Sequence, residues 1–434
     1  MVKTFTLKNG IKVAFYRVPT LKSFYIQALI KGGSIVEDPK ESGIAHYMEH
    51  MLLQGIPSYP TAEDLSAFVE SIAGHYNAYT SRMTVAIPMS VPLPHAETAI
   101  KIVSEAFFSP LFPEDSMEKE RRAVLNEIKQ DMDSPYFKLG EFSRKTRYKK
   151  DSQLQLLTAG TPDTVATFSR DDLIAYWKKY FLPKNTYIYV RGDMTQKKLH
   201  DFLETYFGQV KNDSPFPGYP DISEKDLEGS TVALRQDTNL QVNYVDFSFQ
   251  SIRGDDPVVD RVAHRVAMMI LGRMHTSRLF RLLRYQKGLV YGVSAGASMW
   301  PSLGVGGISS EVTTEHLEEV VRLITQELHI FLQNGPSQEE IDKATNYLKN
   351  SWLMVYDNWA SVSEWIRDEF LWEKKIQMPE EYSEFLKEIT REKVMSVMNR
   401  YWKLDKLQLN IQGPVEDSEE MKKKFEKIIE VLKV

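Results

Sequence analysis

Residues 168–194, FSRDDLIAYWKKYFLPKNTYIYVRGDM, align without gaps on residues 389–415, ITREKVMSVMNRYWKLDKLQLNIQGPV. Arg170 meets Arg391, Tyr180 meets Tyr401 and Gly192 meets Gly413, and the apolar positions coincide through both segments. The displacement, 221 positions in a chain of 434, is close to half the length. A chain that repeats at half its length folds as two related domains, each complete within about 210 residues. Both copies read as a helical stretch followed by a strand. The expected fold class is therefore α+β, with two homologous α/β-sandwich domains from an internal duplication. Residues 211–220, KNDSPFPGYP, hold three prolines and a glycine, the composition of a linker. The expected boundaries are 1–212 for the first domain, 213–229 for the linker and 230–434 for the second.

The two halves are chemically unequal. GIAHYMEHMLLQG, residues 43–55, places His46 and His50 four apart, on one face of a helix, with Glu49 on the same side. Ile44, Met48, Met51 and Leu52 can anchor that helix to a core, and Gly55 can end it. Two neutral imidazoles at this spacing suit Zn2+, with the carboxylate beside them as a base. The bland alternative is a helix with polar surface histidines, and a third ligand is what separates the two. The chain has no cysteine, so a zinc site here must use histidine and carboxylate. Shifting His46, Glu49, His50 and Glu127 by 221 gives Ala267, Ile270, Leu271 and Leu348, and no second HxxEH occurs. Metal chemistry thus belongs to the first half. The other seven histidines lack ligand spacing and read as ordinary surface or core residues.

Local patterns place the remaining candidates. Lys8-Asn9-Gly10 reads as a hairpin turn, Phe24–Ile30 as a strand, and Thr61 as the cap of a helix to Ile72. Asn77–Ser90 reads as one strand. Within residues 113–135, Asp115 or Ser116 can cap a helix running to about Met132, from which Glu120 and Glu127, two turns apart, project on one side. The net charge of −5 and the lack of a basic block give no reason to expect nucleic acid. No apolar run has membrane-spanning length, and the first eighteen residues lack a signal-peptide core; no membrane partner and a cytoplasmic location are expected.

With HxxEH at 46–50, the chain resembles the pitrilysin-like zinc metallopeptidases, or inverzincins, and within them the processing-peptidase-like subfamily. Seventy-six residues separate His50 from Glu127, which lies in RRAVLNEI, similar to the family's third-ligand helix. GHYNAYTSR, 74–82, is similar to its substrate-strand motif, and LLRYQKGLVYGVSA, 282–295, to its C-terminal Arg/Tyr motif. The resemblance implies that each chain is half of a clamshell holding one Zn2+ on His46, His50 and Glu127. It implies Glu49 as general base and gives Glu120 a supporting role, against the alternative of a solvated helix charge. Asn77, Ala78, Tyr79 and Thr80 would lie on an edge strand that takes the substrate, or else on a strand without a ligand. Arg284 and Tyr291 would reach the substrate from a facing copy. The implied function is a zinc endopeptidase that hydrolyses unfolded peptides or short polypeptides enclosed by a homodimer. Two alternatives stand beside it: a non-catalytic structural subunit of the respiratory-core type, and the active half of a heterodimeric peptidase. The complete His46, Glu49, His50 and Glu127 set weighs against the first. Arg284 and Tyr291 in the same chain as the motif weigh against the second.

Overall fold

A computed structural model describes residues 2–372 and 374–432. Its first compact unit runs through Asp133 and adds Leu156–Pro220 and Trp359–Ile376. One mixed sheet forms it, from β1 (Val2–Thr6), β2 (Lys12–Arg17), β3 (Ser23–Lys31), β4 (His75–Tyr76), β5 (Tyr79–Thr80), β6 (Thr84–Pro92) and β7 (Thr186–Gly192). The strand order is β1-β2-β7-β3-β6-β4, with β5 also on β6, and only β2 and β7 run parallel. Along β3, Phe24, Ile26, Ala28 and Ile30 point to one face by the two-residue period and are fully buried. That face packs with Met48, Met51, Ile100 and Phe107 of the helices Ile44–Leu52 and Ala96–Phe108 in one apolar core. Thr61 caps the helix Ala62–Ser71 as expected, accepting from the Asp64 N–H.

The second unit comprises Ser134–Gln155, Asp221–Asn358 and the chain from Gln377 onward. Its sheet holds β8 (Thr231–Gln236), β9 (Asn243–Ser251), β10 (Val293–Met299), β11 (Gly304–Val312) and β12 (Lys403–Gly413), in the order β10-β11-β9-β12-β8. Here too a single pair, β8 with β12, runs parallel. The duplication is thus visible in topology: β2-β7-β3-β6 corresponds to β8-β12-β9-β11. It holds at the level of register, since Tyr25 pairs with Arg191 in the first sheet and Tyr244 with Gln412 in the second, 221 positions on from Arg191. The aligned repeats are the helices Arg170–Tyr180 and Arg391–Tyr401, each leading into the strand β7 or β12.

Each unit also contains a helix from the other half of the chain, which the expected boundaries did not allow for. The chain passes between units at Pro220 and Asp221, inside the expected 213–229 linker. Helix Pro135–Arg147, from the first half, lies on the second sheet: Thr146 donates to Asn410 at 2.7 Å and Arg147 to Asp246 at 2.9 Å. Helix Trp359–Leu371, from the second half, lies on the first: Ser363 donates to the Tyr189 hydroxyl at 3.3 Å and Arg367 to that of Tyr79 at 3.1 Å. The reason is chemical. The second face of each sheet carries polar residues, Tyr25 and Gln27 in one and Gln408, Asn410 and Gln412 in the other, and buried polar groups need partners.

Two local expectations are corrected. The helix expected to follow a cap at Asp115 or Ser116 is Glu114–Asp133, so those two residues sit in its first turn and are not caps. The strand expected over Asn77–Ser90 is a hairpin: the Ser81 hydroxyl accepts the N–H groups of Met83 and Thr84 and folds β5 back onto β6.

Candidate metal centre

The motif helix is Ile44–Leu52 and begins without a cap of its own, at Gly43 in the left-handed conformation (φ 95°). A Cβ there would stand 2.7 Å from the Ala159 carbonyl oxygen, so glycine is required on two counts. The carboxylate of Glu37 replaces the cap. It accepts the Gly43 and Ala45 N–H groups, both at 2.9 Å, and the residue is 1 % exposed. From the other side, the Tyr47 hydroxyl donates to the Met117 carbonyl at 2.7 Å and ties the motif helix to the helix Glu114–Asp133.

Those restraints bring four sequence candidates together. Glu127 Oε1 lies 3.7 Å from His46 Nε2, and its Oε2 lies 3.6 Å from His50 Nε2. Donors about 2.1 Å from a tetrahedral zinc lie roughly 3.4 Å apart, so these separations match a shared ion to within a few tenths. His46 also meets Glu49, at 3.9 Å, and His46, Glu49 and His50 alone could hold a metal by proximity. Glu127 fits a third-ligand position, because its two oxygens span both Nε2 atoms. Hard and borderline donors of this kind, with one position left over, suit Zn2+.

The electrostatics differ from one side chain to the next. Burial and the neighbouring His50 lower the pKa of His46 to about 4, which keeps its imidazole neutral. Burial of His50 opposes its charged form too. The hydrogen bond that its Nδ1–H donates to Glu120 and the charges of Glu49, Glu120 and Glu127 outweigh that, and its pKa is raised. Glu120 Oε2 is 2.9 Å from His50 Nδ1, which fixes the ring with Nε2 turned to Glu127. Burial raises the Glu49 pKa against the pull of neighbouring Thr80 and His50, in the direction a general base needs.

Asn77, Ala78 and Tyr79 fall on the outer edge of the first sheet, along β6 in one continuous register from His75–Ser90 to Thr80–Val85. Asn77 donates inward to the Pro88 carbonyl at 3.1 Å. The alternation then turns Asn77 and Tyr79 toward β6 and leaves Ala78 and Thr80 with backbone groups facing out. Thr80, the last residue of the expected edge strand, is the outward residue beside Glu49. The Tyr79 side chain is held on the opposite face by Gln27 and Arg367.

Arg284 and Tyr291 lie in the second unit. The Arg284 guanidinium sits 4.7 Å from the centroid of the Tyr291 ring and donates to the Val290 carbonyl at 3.3 Å. Tyr291 is 85 % exposed. The positions matching the metal set, Ala267, Ile270, Leu271 and Leu348, are buried apolar packing.

Residues 12–159 match the family model for insulinase (peptidase family M16), and residues 167–348 match that for the peptidase M16 inactive domain. The chain belongs to peptidase family M16. Its relatives in that family include an uncharacterized zinc protease of Rickettsia bellii, 27% identical over 91% of this chain and 93% of that one. The uncharacterized zinc protease YmxG of Bacillus subtilis is 27% identical over 82% and 85%. The mitochondrial-processing peptidase subunit beta of Neurospora crassa is 22% identical over 92% and 85%. Among solved M16 folds, a Pseudomonas fluorescens chain described as a peptidase M16 inactive domain superposes with a TM-score of 0.87 at 20% identity, over 96% of this chain and 98% of that one. The first half of the periplasmic protease PqqL from Escherichia coli does so with 0.84 at 17%, over 100% and 96%. The M16 zinc-protease relationship extends over both units, and the boundary between the two family models falls between Ala159 and Thr167. Among the described residues, no helix is long and apolar enough to cross a membrane.

Proposed function

We propose that the chain is a zinc-dependent endopeptidase that hydrolyses unfolded peptides or short polypeptides, with one Zn2+ per chain on His46, His50 and Glu127. The observation that carries the reading is the position of Glu127, whose two oxygens stand at similar distances from both imidazole Nε2 atoms. Zinc held there supplies a Lewis acid for the scissile carbonyl and lowers the pKa of the attacking water. Glu49 takes the proton from that water and then passes it to the leaving amine nitrogen. Glu120 keeps His50 in the tautomer that offers Nε2. The peptide adds as a strand along the outward edge at Ala78 and Thr80, through backbone hydrogen bonds that ask little of its sequence. That edge ends beside Glu49, so a strand added there carries a peptide bond to the base.

A homodimer belongs to the same proposal. Arg284 and Tyr291 offer a guanidinium and a phenol suited to a carbonyl oxygen that gains charge in the transition state, and a second copy would supply them. A cytoplasmic location is the part that cell fractionation tests. A non-catalytic structural role is disfavoured by the retention of both histidines, Glu49 and Glu127. The experiment is metal analysis of the purified protein together with cleavage of a random peptide mixture. Zinc near one per chain and cleavage abolished by a chelator support the reading; a metal-free, inert protein after zinc loading refutes it.

A further inference from the structure

Two large aromatic side chains stand exposed beside one groove, with no packing reason for it. Tyr136 is 64 % exposed and Tyr291 85 %, and with Tyr244 they line a groove of about 380 Å3 in the second unit. A monomer seldom leaves several aromatic rings together in solvent unless they contact something. The groove is built rather than accidental. Tyr244 and Glu311 are directly paired across β9 and β11, so the sheet register fixes both. The Tyr136 ring meets Tyr244 edge to face, at 5.2 Å and 72°, and its hydroxyl donates to Glu311 at 2.8 Å. Tyr136 itself stands in the first turn of a helix capped by Ser134.

The chemistry of the lining points to one kind of occupant. Glu311 is its single formally charged residue, and among the described residues it makes no ion pair. The phenol rings present negative π faces, and a carboxylate lies among them; that combination attracts a cation and disfavours an anion. Tyr291 already carries a guanidinium, that of Arg284, on its ring. That positive charge works against a second cation. At an open groove it is screened within about 8 Å at physiological salt.

We propose that this groove is a side-chain subsite for a lysine or arginine of the polypeptide substrate. The cation would lie over Tyr136 and Tyr244 and its charged head would reach Glu311. The proposal rests on the peptidase reading and on Tyr291 standing near the substrate, and it gives a preference to an enzyme whose strand-edge contacts give none.

The test is a peptide series that differs at one position, with lysine, norleucine or glutamate scanned through the residues flanking the scissile bond. The wild type should prefer lysine over norleucine by about ten-fold in kcat/KM at one position, mostly in KM, as a cation–π contact and a partly exposed carboxylate together allow. In Glu311→Gln that ratio should fall toward one, and in Glu311→Lys glutamate should become the preferred residue. Tyr136→Phe, which keeps the ring and loses the hydroxyl, should retain part of the preference. Binding of the lysine and norleucine peptides to Glu49→Gln protein, with and without Glu311→Gln, gives a second readout independent of turnover. Peptides cleaved with no basic preference, or with one that survives Glu311→Gln, would overturn the subsite and leave the peptidase reading intact. A Glu311→Gln protein of altered mass in solution but unaltered selectivity would overturn it too, in favour of a contact between copies. If no peptide is cleaved, the peptidase reading fails, and equal binding of the two peptides would then overturn the subsite separately.

Discussion

The Nδ1 atom of His50 lies 2.9 Å from Oε2 of Glu120. Glu120 precedes Glu127 by two helical turns, so one helix supplies both the carboxylate that orients the ring and the one that faces its other nitrogen. This pairing separates a positioning role from a solvated charge. Glu120→Gln should weaken zinc binding by about 10–100-fold while leaving the thermal midpoint of the metal-free protein almost unmoved. Chelator competition measures the first and a melting curve the second. Unchanged zinc affinity would make Glu120 an ordinary helix charge.

Glu37 carries a different burden, because it caps the metal helix from a buried position. Glu37→Ala leaves the Gly43 and Ala45 N–H groups without an acceptor and should cost roughly 2–4 kcal/mol. Its titration is also legible. Burial raises its pKa from 4.5 to about 8, against the two N–H groups and Arg82 and with Glu41 adding to the rise. The folded state therefore keeps a proton that the unfolded chain releases above pH 4.5, so stability falls as pH rises between about 4.5 and 8. The metal-free wild type should lose thermal stability across that window more steeply than Glu37→Gln, which has nothing to titrate. Parallel slopes would mean that the carboxylate stays ionised throughout.

Arg284 and Tyr291 make the dimer testable. Glu49→Gln chains and Arg284→Ala/Tyr291→Phe chains should each be nearly inactive. After subunit exchange, mixed dimers would hold one intact composite site, and activity should return toward roughly a quarter of wild type. No recovery, with exchange demonstrated by mass, would place the pair's action within its own chain or nowhere.

The motif, the glutamate that faces it and the duplication were legible because each depends on spacing along the chain. Histidines four apart, glutamates seven apart and a gapless repeat survive any tertiary arrangement. What the sequence hid depends on burial. Glu37 sits among charged residues in a turn and reads as surface. Thr80 acquires its place beside Glu49 only because Ser81 turns the chain back, where an unbroken strand had been expected. The helices 135–147 and 359–371 join the opposite units because each covers a polar sheet face. Tyr25, Gln27, Asn410 and Gln412 look like solvent-facing strand positions until their partners are known.

The central claim is that His46, His50 and Glu127 hold zinc while Glu49 moves the proton. The direct measurement is zinc content and turnover of Glu49→Gln on one peptide substrate. The mutant should keep about one zinc per chain and a wild-type melting curve, yet lose several orders of magnitude in kcat. Loss of the metal would make Glu49 a ligand, and near-normal turnover would deny it the role of base; either result contradicts the account.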